Sequence, residues 1–154
     1  MNGKQPWEEV VAAEGVYLET RRQMFEAGAE EQLSLALQSP TGRGSALRVL
    51  RDSPLEVLMG VLPGLFDAAS STHPQVGLAR EVLGRVDSGW LSTALVPLVE
   101  SRLQNKASDW SDYRRLAECL SEIGQSRLLA VVVERADQSD DDDIREVAED
   151  FRRD

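Results

Sequence analysis

The chain has 154 residues, enough for one domain that buries roughly 70% of its unfolded surface without disulfide staples. Its formal charge of −10 argues against a nucleic-acid ligand, because counterion release from a phosphate backbone needs a protein field of the opposite sign. The single cysteine suits a reducing, cytoplasmic setting; no secretory leader is visible and no apolar run approaches the ~20 residues of a membrane span, so no membrane partner is expected.

Trp7, Val10, Val11, Tyr17, Leu18, Met24 and Phe25 fall close to a seven-residue repeat and predict one side of a helix from Pro6 to Ala27. Pro6 fits a first turn, where its missing N–H costs nothing, and Glu8 and Glu9 suit the positive end of the helix dipole. Glu14 and Arg21 interrupt the stripe, so this helix is expected to lie against the rest of the protein rather than inside it. Gly28 is the expected break before a shorter helix over Ala29 to Gln38, and Ser39 to Gly44 reads as a loop. A helix over Ser45 to Arg51 follows. Ser53, Pro54 and Glu56 then stand as in a capping box, predicting a helix from Pro54 to Ser70 that bends at Pro63.

Ser71 to Pro74 closes that helix and opens the next, which runs to Asp87 with Val76, Ala79, Val82, Leu83 and Val86 inward. Ser88 and Gly89 precede a helix over Trp90 to Asn105 that again holds a proline, Pro97. Its partner follows Asp109, runs to Ile123 and stops at Gly124, a residue able to take the left-handed conformation. The last pair covers Ser126 to Ala136 and Asp141 to Phe151.

Self-similarity runs through these elements. Ala79, Glu81, Val82, Leu83 and Val86 return 37 positions later as Leu116, Glu118, Cys119, Leu120 and Ile123. Leu58, Val61, Leu62, Leu65 and Phe66 return 33 positions later as Leu91, Ala94, Leu95, Leu98 and Val99. Periods of this size belong to stacked helix pairs, each of which exposes an apolar face until a neighbour covers it. The expected fold is all-α, a short α-solenoid of three to four helical hairpins. It forms a single domain over residues 1–154, with an N-terminal helical cap over 1–38 and repeats over 54–154.

Leu62-Pro63-Gly64-Leu65-Phe66-Asp67, with His73-Pro74-Gln75-Val76 and the run from Ala79 to Val86, resembles a HEAT-type repeat: a proline-bent first helix, a short turn and a second helix ending in Leu-Gly. Val96-Pro97-Leu98-Val99, Tyr113-Arg114-Arg115 and Leu120 to Gly124 form a similar second unit, and Asp143 to Ala148 echo the start of a further second helix. Gly77 departs from the pattern, and the third unit lacks the proline; armadillo-like and unrelated hairpin folds share much of it. The resemblance implies a right-handed α-α superhelix that binds other proteins, with the second helices lining its concave side.

Candidate chemistry is sparse. His73, the only histidine, precedes a proline at a helix start, where a capping role is expected, and Cys119 occupies an apolar position of the repeat. Gly42-Arg43-Gly44 lacks the frame of a dinucleotide loop, and no Gly-Xaa-Ser-Xaa-Gly elbow is present. An EF-hand loop starting at Asp137 would put Asp142 where glycine must turn the chain, so Asp140 to Asp143 read as the acidic first turn of a helix. No cofactor, metal or catalytic residue is assigned.

Recognition residues are expected instead. Trp90 and Trp110 stand near helix starts, where core filling and an interface anchor are both open readings. The outward side of the second helices carries Arg80 and Arg85, then Arg114, Arg115, Glu118 and Glu122, then Arg145, Glu146, Glu149 and Asp150. A groove and an ordinary solvated face both fit that mixed-charge strip. Residues 1–37 carry −4, residues 38–136 carry zero and residues 137–154 carry −6, so the acidic excess lies at the two ends and favours a basic protein partner.

The functional expectation is a non-enzymatic inhibitor, adaptor or scaffold, analogous in size and charge to immunity proteins that occlude a toxin. Its rival is a structural or self-associating segment of a larger HEAT-repeat assembly. The acidic ends resemble the polar caps that a complete array requires.

Overall fold

Eleven helices and no strand make up residues 5–152, the part of the chain that the computed structural model describes. The fold is all-α. Helix α1 (Pro6–Glu26) begins with Pro6 in its first turn, and the Glu8 carboxylate accepts a hydrogen bond from the Gln5 N–H at 2.8 Å. Gly28, at φ 100°, takes the left-handed turn that only glycine makes without strain and leads into α2 (Ala29–Gln38). Then come α3 (Arg43–Arg51), α4 (Leu55–Gly60), α5 (Leu62–Ala69), α6 (Val76–Leu83), α7 (Ser88–Ala94), α8 (Val96–Gln104), α9 (Trp110–Glu122), α10 (Ser126–Asp137) and α11 (Asp142–Phe151).

Several boundaries differ from expectation, each for a local physical reason. The helix expected over Pro54 to Ser70 is two helices: Val61 leaves helical geometry at φ −108° and ψ 14°, and Pro63 falls in the first turn of α5, where no N–H is needed. The helix expected over Trp90 to Asn105 also divides, with Pro97 in the first turn of α8. Leu95 keeps helical dihedrals there, so this second junction is the gentler one. Ser53 does not cap α4. It is buried, its hydroxyl donates to the Val49 carbonyl at 2.7 Å, and Pro54 takes the N-cap position. The Arg85 guanidinium explains the burial, since it reaches back to donate to the Leu50 and Ser53 carbonyls at 2.9 and 3.1 Å. The expected loop over Ser39 to Gly44 is shorter, because Arg43 and Gly44 already belong to α3 and Arg43 donates to the Leu37 carbonyl at 3.0 Å. The helix expected to reach Asp87 ends at Leu83, and Asp87 instead caps α7 by accepting from the Trp90 N–H at 2.8 Å.

Packing pairs α2 with α3, α5 with α6, α9 with α10 and α10 with α11. Helices two or three apart in the chain also meet: α2 with α5, α3 with α6, α8 with α10 and α9 with α11. One cluster of buried side chains runs through all of these elements, from Leu33, Leu47 and Leu50 through Leu65, Phe66 and Leu83 to Leu95, Leu116, Leu120 and Val132. A small satellite of Ala136, Ile144 and Ala148 joins α10 to α11. Of the positions matched by the 33- and 37-residue offsets, Leu58 and Leu91, Leu62 and Leu95, Val82 and Cys119, and Leu83 and Leu120 are buried in both places, whereas Ala94, Leu98 and Ile123 are only half-buried where Val61, Leu65 and Val86 are buried. Buried Gln125 ties two turns together by donating to the Ser88 carbonyl and hydroxyl, both at 3.1 Å.

Helix α1 is the exception. Its pattern predicts contact along the other helices, yet none of its residues is buried. Only Arg21, Met24 and Phe25, near its C-terminal end, are half-buried against the rest, while Trp7, Val10, Val11, Tyr17 and Leu18 are exposed. Twenty-one residues at 1.5 Å each make α1 about 31 Å long, and no described residue covers the side chains of its N-terminal half.

Candidate interaction surface

The amphipathic spacing that turns Ala79, Val82 and Leu83 of α6, and Leu116, Ala117 and Leu120 of α9, into the core sends the residues between them outward. Arg80 is the hub of that outer side. Its Nε donates to the Ala69 carbonyl at 2.9 Å, Nη1 to Glu122 at 2.8 Å and Nη2 to Glu118 at 3.3 Å. Burial works against its charge, but the hydrogen bonds to Glu122 and Glu118 outweigh that and hold the guanidinium above its ordinary pKa. Arg115 shares Glu118 at 2.7 Å and donates to the Thr72 hydroxyl at 3.2 Å. Arg114 crosses to Asp150 of α11 at 2.6 Å. The charged strip is therefore a set of ties holding α6, α9 and α11 side by side. With its side chain only 12% exposed, Arg80 braces the surface and is not offered to a partner.

Arg145 turns back within its own region, pairing with Asp142 and donating to the Ser139 carbonyl at 2.6 Å. Glu146 and Glu149 of α11 are exposed. Trp90 is half-buried and packs on the core. Trp110 is 47% exposed, but as the first residue of α9 it stands about 18 Å along the helix axis from Glu122. The structure brings Arg80, Arg115, Glu118 and Glu122 together, adds Arg114 through Asp150, and leaves the two tryptophans elsewhere.

Beside the strip lies a feature that sequence reasoning missed, a groove of about 570 Å³ whose apolar wall is Leu129, Ala130, Val133 and Phe151. Exposed Glu134 and Asp137 also line it, and Asp137 pairs with Arg152 at 2.7 Å across it. Ser121 and Phe151 belong both to this groove and to a shallow depression over Arg80, Glu118 and Glu122, so groove and strip form one surface. A signal for it existed: α10 carries Leu129 and Val133 four residues apart beside its inward stripe of Leu128, Val132 and Ala136.

The remaining reactive groups are held in structural roles. His73 Nδ1 accepts from the Gln75 N–H at 3.1 Å, which leaves Nε2 to donate to the Ala68 carbonyl at 2.6 Å. Cys119 is fully buried, and desolvation pushes its thiol up to about 12, despite the opposing influence of Arg80. Asp141 caps α11 by accepting from the Asp143 N–H at 2.9 Å, so the acidic run does open a helix. Among the described residues no three His, Cys, Asp or Glu side chains converge on a point that could hold a metal ion, and no helix is long and apolar enough to cross a membrane.

Comparison with protein-family models, with curated proteins and with solved structures returns no match.

Proposed function

We propose that this chain is a non-enzymatic protein-binding module: a short HEAT-like α-solenoid whose second helices, α6, α9 and α11, form with α10 the recognition face for a basic protein. The observation that carries the reading is the groove of Leu129, Ala130, Val133 and Phe151 with carboxylates beside it. The arginines of the adjoining strip are occupied by internal ion pairs that also take up Asp142 and Asp150, and Asp137 pairs with Arg152, whereas Glu134, Asp140, Asp143, Glu146 and Glu149 are exposed. Such a surface takes an apolar anchor residue flanked by lysine or arginine, the arrangement in which a buried hydrophobe supplies affinity and rim charges speed encounter. An inhibitor, adaptor or scaffold works in this way, an immunity-type protein among them.

Capture by the immobilised protein at low salt, with bound proteins identified by mass spectrometry, tests the reading. The expected result is retention of a basic protein that salt releases. A triple variant at the groove, Val133→Glu with Glu134→Lys and Asp137→Lys, is expected not to hold it. Retention of no protein, or equal retention by this variant, contradicts the reading. The alternative, a self-associating segment, draws on a different surface, the exposed stripe of α1.

A further inference from the structure

We propose that the cleft between α1 and α3 binds a small phosphorylated molecule, whose phosphate is held by Arg48 and Arg51 and whose organic part lies against the Tyr17 ring. The cleft has a volume of about 450 Å³, within the range of small-ligand pockets. Its lining is Tyr17 of α1, Ser45, Arg48 and Arg51 of α3, and Asp52 at the end of α3. None of these residues belongs to the groove of α10 and α11.

Ser45, Arg48 and Arg51 follow one another at three-residue spacing, which sets them in a row along one side of α3. Elsewhere Arg80, Arg102, Arg114 and Arg152 reach carboxylates within 2.8 Å. The two exposed arginines of the cleft are not consumed in this way. Arg48 Nη2 donates to the Ser45 hydroxyl at 3.2 Å, and among the described residues no carboxylate pairs with Arg48. Arg51 Nε stands 3.9 Å from the Asp52 carboxylate, too far for a hydrogen bond. Arg21 reaches the same corner, with Nη2 3.5 Å from the Asp52 carbonyl. Three guanidiniums therefore stand around one carboxylate, a locally positive concavity in a chain of net charge −10, and such a concavity concentrates anions.

The donor set selects the anion. A carboxylate has two oxygens, and a single guanidinium fork satisfies both. Two forks, the Ser45 hydroxyl and the Tyr17 phenol offer more donors than that. A phosphate monoester presents three terminal oxygens and nearly two negative charges at neutral pH, which matches two arginines and a hydroxyl. A bare phosphate ion is much smaller than the cleft. Tyr17, 49% exposed, gives the remaining space an aromatic wall, so the ligand carries an organic part that lies on that ring.

Isothermal titration calorimetry of the full chain at low ionic strength, with phenyl phosphate as the probe and benzoate and inorganic phosphate beside it, tests the assignment. Wild type is expected to bind phenyl phosphate saturably at one site, about tenfold or more tighter than benzoate, and to weaken as pH falls through about 6, where the ester gains a proton. Arg48→Ala and Arg51→Ala each weaken binding about tenfold or more, and Arg48→Lys, which keeps the charge without the fork, also weakens it. Tyr17→Ala weakens phenyl phosphate and leaves inorganic phosphate unchanged. Arg135→Ala, at an exposed arginine outside the cleft, has no effect. Circular dichroism checks that each variant is folded, and the benzoate and pH comparisons need wild type alone. Absence of saturable binding, benzoate bound as tightly as phenyl phosphate, or an equal loss in Arg135→Ala overturns the proposal. A phosphotyrosyl peptide held more than about tenfold tighter than phenyl phosphate also overturns it, by assigning the cleft to a modified protein.

Discussion

Helix α1 and helix α9 both carry apolar residues at helical spacing, but α9 is flanked by α10 and α11 and buries Leu116, Ala117, Cys119 and Leu120, whereas α1 has no fully buried residue and half-buries only Arg21, Met24 and Phe25. Intrinsic pattern is thus no measure of stabilisation. An apolar stripe contributes only when another surface removes it from water, at roughly 25 cal/mol per Å² covered.

The contrast is sharpest in the core. Leu120→Ala is expected to cost about 2–5 kcal/mol of unfolding free energy, the range for truncating a buried leucine, while Leu18→Ala in dilute protein changes stability by no more than about 0.5 kcal/mol. Urea titrations of both variants decide the matter; equal losses would mean that α1 is packed in solution. Next in size, Arg80→Ala removes charge-assisted bonds to Glu118 and Glu122 and one to the Ala69 carbonyl, for about 1–3 kcal/mol. Arg22→Ala on α1 breaks pairs with Glu19 and Glu26 that lie in open solvent, and its urea midpoint is expected to match wild type.

Glycines divide the same way. Gly124 holds φ 73° at the end of α9, so Gly124→Ala is expected to destabilise by about 1–2 kcal/mol. Gly15 sits within α1 with open space around its Cβ position, and Gly15→Ala should increase helicity by far-ultraviolet circular dichroism. A smaller effect comes from Cys119. Its folded thiol is raised from 9.0 to about 12, so stability is fully present below pH 9 and is lost as pH rises through that window, by about 1 kcal/mol at pH 10. Cys119→Ala is expected to flatten this alkaline slope in pH-resolved urea titrations, and an unchanged slope would assign it to other groups.

Local signals are legible where a residue acts on its own neighbours. Pro6 opens α1, Gly28 and Gly124 turn the chain at positive φ, and Asp109 caps α9 by accepting from the Ser111 and Asp112 N–H groups at 2.9 and 3.1 Å. The inward stripes of α6 and α9 are also readable, because period 3.6 reports which side meets the core. Ser53 misleads because a distant residue overrides its local preference: Arg85 draws the end of α3 inward, and the serine hydroxyl turns to Val49. Of the groove only the α10 wall has a local mark, Leu129 and Val133 four residues apart; its meeting with Phe151, the last residue of α11, is reported by no short-range pattern.

The order of apolar and helix-breaking residues is enough to make the described chain helical, to set where most helices start and stop, and to fix which side of each is greasy. That follows because caps, proline, positive-φ glycine and helical periodicity act within a few residues. Packing in three dimensions settled the rest: the arginines of α6 and α9 are tied to carboxylates up to 42 residues away, a groove opens beside them, and α1 keeps its stripe uncovered. Those outcomes depend on which helix faces meet in space, and burial and charge pairing take their energy from that meeting.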